Sequence, residues 1–217
     1  MTIFDLTDLH GSLRHLDAVA EQIKRSDLVI VSGDITHFGG AKQARRVIET
    51  LSGLNSRLLA VSGNCDQEDV DELLEEQAIA LHGRSIELDG LLFVGLGGSL
   101  PGPVPTPNTL SEEELADRLE SISIEAERPM ILVSHQPPFD STADIISSGR
   151  HVGSRSVRSF IERRKPLLCL TGHIHESAGV GTIGECIVVN PGPFSSGRYA
   201  LIEVAAGVPA LVTLRSL

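Results

Sequence analysis

Short apolar runs alternate with amphipathic stretches through the first two-thirds of the sequence, and this alternation limits the fold more than any other feature. Residues 28–31, 57–61, 130–133 and 167–170 read as strands buried on both faces, with residues 3–6 a shorter one. Between them apolar residues recur at helical spacing. Leu13, Leu16, Val19, Ala20 and Ile23 share one face, with Ser12 placed to cap it. Ala44, Val47, Ile48 and Leu51 form a second face, and Val70, Leu73 and Leu74 a third. Ser111 and Glu114 have capping-box spacing ahead of Leu115 and Leu119, and Ser154 precedes a fifth face of Val157, Phe160 and Ile161. Strands and helices in turn imply βαβ units. Residues 86–94 read as a hairpin turning at Asp89-Gly90, and residues 182–214 are strand-rich with glycine turns, so two sheets are expected.

The chain has 217 residues, which suits one domain over 1–217 and leaves little room for a second. With 6 Phe, 1 Tyr and no Trp, the core must be aliphatic. Eighteen Lys+Arg against 29 Asp+Glu give a formal net charge of -11, which disfavours a grip on long nucleic acid but not a small anionic substrate. The first residues lack the cationic and apolar regions of a signal peptide, and no apolar stretch approaches the ~20 residues that would span a membrane. Cys65, Cys169 and Cys186 are scattered and form no CxxC, which fits a reducing compartment. No membrane partner and a cytoplasmic location are expected.

Each of the five strand runs is followed by a small residue and then by a metal-ligating type. The clusters are Asp8-Leu-His10-Gly11, Gly33-Asp34, Gly63-Asn64-Cys65-Asp66, Ser134-His135 and Gly172-His173-Ile174-His175. Carboxyl ends of parallel strands share one edge, so these clusters converge on one cleft. Two Asp, one Asn and four His are more ligands than one ion needs, but they suffice for two shells if one carboxylate bridges. Mixed imidazole and oxygen donors suit Mn, Fe, Zn, Co or Ni, and argue against Ca or Mg alone. Paired ions ~3.5–4 Å apart generate a hydroxide and clamp the oxygens of an in-line displacement at phosphorus. The glycines at 33, 63 and 172 are expected to turn the chain sharply and to let backbone approach ions or phosphate.

These clusters, in this order over roughly residues 1 to 194, resemble the calcineurin-like metallophosphoesterases. The resemblance implies an α/β (α+β), four-layer αββα sandwich of two mixed β-sheets flanked by helices. It implies one divalent transition-metal ion held by Asp8, His10, Asp34 and His175, and a second by Asp34, Asn64, His135 and His173. Asp34 would bridge, a hydroxide between the ions would attack phosphorus, and Asn64 would stabilise charge on the phosphoryl oxygens.

One position departs from the pattern. Larger members carry Gly-Asn-His where this chain has Gly63-Asn64-Cys65, which is similar to the short microbial, phosphodiesterase-like branch. Cys65 is either a weak acid, with a free pKa of ~8.5, or a small apolar residue packed beneath the cleft. His151, or its neighbour Arg150, is placed either to reach a phosphate or to lie solvated before a capped helix. The proline-rich stretch 97–109 either rims the cleft and sets specificity or only joins a strand to a helix. His15 and His82 are expected to be bland, His37 to be a plain loop histidine or a neighbour of the ligands, and Glu112 to Glu114 a solvated helix start. Asn190-Pro-Gly-Pro193 is similar to the family's closing loop near the site or is an ordinary turn. The expectation is a phosphodiesterase acting on a small phosphate ester; a phosphomonoesterase or a non-catalytic scaffold are the alternatives. The sequence leaves the oligomeric state open.

Overall fold

A computed structural model of the chain describes residues 1–124, 128–205 and 208–217. All five apolar runs are strands. In chain order the elements are β1 (Thr2–Leu6), α1 (Leu16–Arg25), β2 (Leu28–Ser32), α2 (Ala41–Leu54), β3 (Leu58–Val61), α3 (Asp69–Glu76), β4 (Ser85–Leu88) and β5 (Leu91–Leu96). They continue with α4 (Glu112–Ser121), β6 (Met130–Ser134), α5 (Arg155–Arg164), β7 (Leu168–Leu170), β8 (Gly179–Ile183), β9 (Cys186–Asn190), β10 (Arg198–Ala205) and β11 (Val208–Ser216).

Two mixed sheets result, ordered β11-β10-β1-β2-β3 and β4-β5-β6-β7-β9-β8. Their centres are parallel, β1 with β2 and β3, and β5 with β6, β7 and β9, while hairpins close the flanks antiparallel. The five ligand-bearing strand ends therefore come from two sheets meeting at one edge. The last strands complete both sheets, β8 and β9 in one and β10 and β11 in the other.

Three apolar clusters account for the four layers. Phe4, Leu6, Val29 and Val31 face helices α1 to α3 through Val19, Ile23, Val47, Ile48 and Leu73. Leu132, Cys169 and Val188 face Leu115 of α4 and Phe160 of α5. Ile30, Val61, Phe93, Ile131, Leu170 and Ile202 fill the space between the sheets. Because both faces of each central strand are covered, the runs are continuously apolar rather than alternating. Each fully buried aliphatic side chain contributes ~1.5–3 kcal/mol relative to exposure.

The Ser111/Glu114 capping box forms in both directions, and Ser154 accepts the Val157 amide at 3.1 Å. Ser12 does not cap: α1 begins at Leu16 after His15, with no side-chain cap, because the chain first folds a turn at 9–12. Glu112 is not merely solvated. Its carboxylate accepts the Arg155 and Ser156 amides at 2.8 and 3.1 Å and so joins α4 to the start of α5.

One polar side chain interrupts the layer between the sheets. Side chains alternate along β1, so Asp5 shares the inner face with Ile3 and is fully buried. Its Oδ1 accepts the Ser32 hydroxyl at 2.8 Å, and its Oδ2 has no hydrogen-bond partner among the described residues. Burial, only partly offset by that bond, pushes its pKa up to about 7. Unfolding returns the group to its ordinary value of 3.8. Between about pH 4 and pH 7 the folded chain then holds a proton that the unfolded chain has released, and stability falls as pH rises. Asp5→Asn, which cannot ionise, is expected to flatten this fall in urea unfolding across that window. An unchanged pH slope in the variant would contradict the assignment.

Candidate metal centre

Backbone pairing sets the site before any side chain does. The loop after β1 runs beside the loop after β2, with the Asp8, His10 and Gly11 amides donating to the carbonyls of Gly33, Asp34 and Ile35 at 2.8–3.0 Å. Asp66, fully buried, binds the β2 and β3 loops together. It accepts the amides of Ile35, Thr36 and Gly63 at 3.0, 2.7 and 2.8 Å, and the Thr36 hydroxyl at 2.8 Å. Beyond β9, the Asn190 side chain donates to the Ile174 carbonyl, and the Phe194 and Ser195 amides donate to those of Thr7 and Asp8. The Asn-Pro-Gly-Pro loop thus buttresses the site from below.

Four of the seven predicted residues have left-handed backbone: Asp8 (φ 53°), His10 (49°), Asp34 (49°) and His173 (66°). Such conformations cost non-glycine residues of order 1–3 kcal/mol each and persist only where surroundings enforce them. Nothing in the composition of the motifs announced this strain. Of the three glycines, only Gly33 has positive φ (99°). Gly63 and Gly172 serve by lacking a Cβ, which would overlap Asp34 Oδ1 at the first and Thr7 Oγ1 at the second. Both glycines thereby admit a ligand carboxylate, Asp34 at Gly63 and Asp8 at Gly172.

The seven residues meet. Asp8 Oδ1 lies 3.1 Å from His175 Nε2, which is 3.3 Å from His10 Nε2, which is 3.9 Å from Asp8 Oδ1. On the other side His135 Nε2 lies 3.0 Å from Asn64 Oδ1 and 3.4 Å from Asp34 Oδ1. Asp34 lies beside both groups: its Oδ2 faces the other His10 nitrogen, Nδ1, at 3.9 Å, and its carboxylate stands within 4.8 Å of ligand atoms of Asp8 and His135. The His173 ring lies beside that of His135, centroids 5.3 Å apart, and its amide donates to Asp8 Oδ2 at 3.1 Å.

Separations of 3.0–3.9 Å are the edges of a polyhedron whose ligands stand ~2.0–2.2 Å from a central ion. His10 Nδ1, buried, has no hydrogen-bond partner among the described residues. The His135 imidazole donates from Nδ1 to the Ser32 carbonyl at 2.8 Å, which turns Nε2 toward Asn64 and Asp34.

The electrostatics ask for positive charge at this place. Burial alone would raise Asp34, but the charge and hydrogen bond of His135, the Cys65 amide and His10 hold it well below the usual carboxylate range. Burial likewise opposes Asp8, whose bond from His175 and the charge of His135 lower it. Burial opposes protonation of His135, yet Asp34 and Asp8 raise it to about 9, so a proton fills the role of a cation there. Burial and the His135 charge push His173 down to about 4, leaving it a neutral donor. The donor set therefore fits divalent ions.

The remaining candidates separate. Cys65 lies at the centre, its amide donating to Asp34 Oδ1 at 2.8 Å and its sulfur 3.6 Å from Asn64 Nδ2. Burial and the Asp34 charge push its thiol above the ordinary range, making it a poorer acid than a free cysteine. His151 does not reach the centre. Its Nδ1 lies 2.6 Å from buried Asp144, which also accepts the Asp140, Ser141 and Gly153 amides, so His151 latches the 140–153 loop. Asp144 carried no sequence signal, because its partners are its own loop. His37 stands edge-on to His10 at 5.4 Å, His15 edge-on to Phe194, and His82 Nδ1 lies 2.6 Å from the Gly97 amide.

With fold and geometry in place, comparison with known proteins defines the class. The chain belongs to the calcineurin-like phosphoesterase family, whose profile matches residues 1–177. It is 40% identical over 205 residues to an uncharacterised protein of Methanocaldococcus jannaschii, covering 92% of this chain and 91% of that one. A 3',5'-cyclic adenosine monophosphate phosphodiesterase of Pseudomonas aeruginosa is 25% identical over 210 residues, covering 91% of this chain and 74% of the relative. A crystal structure from Thermus thermophilus shares the fold, with a TM-score of 0.79 at 18% identity over 99% and 98% of the two chains.

Because a methyl at Gly63 displaces Asp34, Gly63→Ala is expected to weaken divalent-ion binding by about 10–100-fold. Calorimetric titration with Mn measures this, and wild-type affinity in the variant would contradict it.

Proposed function

We propose that the protein is a dinuclear metal-dependent phosphodiesterase that hydrolyses a small phosphate ester by in-line displacement. One observation carries the reading: the Asp34 carboxylate stands within 4.8 Å of ligand atoms of Asp8 and His10 and also of His135, so one side chain is within reach of both proposed shells. Asp8, His10, Asp34 and His175 would hold one ion, and Asp34, Asn64, His135 and His173 the other. The nitrogen and oxygen donors suit Mn, Fe, Zn, Co or Ni. Bound there, two divalent ions supply Lewis acidity and a water of lowered pKa.

The chain's own groups do the rest. Asn64, with its Oδ1 at His135, keeps its amide nitrogen near Cys65 and available to a phosphoryl oxygen. His135 is oriented by Ser32, and Asp8 by Thr7 and the His173 amide, so no reorganisation accompanies charge development. Cys65 holds its proton too tightly to drive departure of a poor leaving group. That favours esters of acidic alcohols, and the names of the cyclic nucleotide and probable glycerophosphodiester phosphodiesterase relatives support a diester over a monoester.

The acidic body, at -11, repels polyanions, which restricts the substrate to a small ester rather than long nucleic acid. Among the described residues no helix is long and apolar enough to cross a membrane. Three buried free thiols fit the proposed cytoplasmic setting.

Mn-loaded protein is expected to hydrolyse bis(p-nitrophenyl) phosphate at least ~10-fold faster, in kcat/KM, than p-nitrophenyl phosphate. His135→Ala should lower the diester rate at least ~100-fold. Preference for the monoester would reverse the substrate assignment. An unchanged His135→Ala rate with metal content verified would remove the mechanism.

A further inference from the structure

A cleft of about 640 Å³ opens directly onto Asn64 and His173. That is far more space than a phosphoryl group fills, and it lies in the size range of small-molecule sites. One wall is the loop after β5, through Leu100, Pro101, Pro103 and Val104; the other carries Ile146, Arg150 and Val152. The sequence holds 29 Asp+Glu, yet no carboxylate lines this cleft among the described residues.

The proline wall is a fixed surface. Its base is stapled by hydrogen bonds from the Asn108 amide to the Asn64 carbonyl, from Asn108 Nδ2 to Ser62 and Gly63, and between Ser99 and both Asn108 and Leu110. Its tip is apolar, and Val104 is left 63% exposed. Prolines at 101, 103, 105 and 107 limit the entropy the tip could lose on covering.

Gln136, next to His135, spans the two walls. Its Oε1 accepts the Leu100 amide at 2.9 Å, and its Nε2 donates to the Val152 carbonyl at 3.2 Å. The width of the cleft is thereby tied to the residue that follows a proposed ligand. Arg150 is the one Arg or Lys in the lining, and its side chain, unlike its carbonyl, has no hydrogen bond or ion pair among the described residues.

We propose that this cleft recognises the organic arm of the ester, an apolar, ring-sized arm lying on the Leu100–Val104 wall and carrying its own anionic group, which pairs with Arg150. The proposal rests on the phosphoesterase reading of the adjoining centre. Ions held at the Asp8–Asp34 end would meet the phosphoryl charge, which leaves the unpaired guanidinium on an otherwise apolar wall for a second anion. Gln136 acts as a positioning residue that holds the walls apart.

Phosphonates test this without turnover, because their P–C bond is not hydrolysed, and each carries a single arm. Calorimetry with the Mn-loaded full chain should rank methylphosphonate weakest, phenylphosphonate about tenfold tighter, and 4-carboxyphenylphosphonate tighter again. Val104→Ser, at an exposed position, should reduce the phenyl preference to about threefold or less. Arg150→Ala should remove the gain from the carboxylate and leave phenylphosphonate affinity within about twofold. Equal affinity for methyl- and phenylphosphonate would overturn the apolar subsite. Arg150→Ala weakening all three probes alike would place the guanidinium on the phosphoryl group and overturn the second-anion contact. Absence of bis(p-nitrophenyl) phosphate hydrolysis with this ranking intact would count against the phosphoesterase reading and not against the cleft.

Discussion

The site is organised around the buried Asp34 carboxylate, whose two oxygens face different imidazoles, those of His10 and His135. Each neighbouring element is shaped to permit that position. Gly33 supplies the left-handed turn that precedes it, Gly63 leaves room for its oxygen, and Asp66 binds the loops on either side of it. Asp8 and Asp34 bring carboxylate oxygens within 4.8 Å of each other, which is unfavourable unless positive charge lies between them. In the metal-free chain a proton on His135 meets that need, and divalent ions would meet it more fully.

Such an arrangement has to be imposed by the rest of the molecule. Asp8, His10, Asp34 and His173 are each held with φ near +50° to +66°, conformations that isolated residues avoid. What imposes them is two sheets whose central strands are covered on both faces, with paired loops extending the backbone bonding past the strand ends. The fold thus holds residues from five strand ends to within about an ångström of the spacing an ion requires. Loops free to relax could not do this.

How much of this was legible in the sequence depends on the range of the interaction concerned. The five strands, the Asp89-Gly90 hairpin and the Ser111/Glu114 box are governed by local periodicity or by residues a few positions apart, and all could be read. The seven clustered residues could be read because each follows a strand. Ser12 reads as a cap but lies in a turn three residues before His15, which occupies the cap position of α1. His151 looked ready for phosphate, yet Asp144 holds it in a loop closure invisible to any periodicity. Glu112 caps a helix some 40 residues away, and Gln136 spans two loops distant in sequence. Long-range side-chain to backbone bonds of this kind leave no composition signature.

The bridging role of Asp34 is the claim on which the account turns, and counting ions tests it most directly. Calorimetric titration of metal-free protein with Mn, checked by elemental analysis, should give two equivalents per chain. Asp34→Asn should weaken both, since one side chain contributes to both shells. A single equivalent in the wild-type chain, or an Asp34→Asn variant that retains two ions at undiminished affinity, would contradict the account.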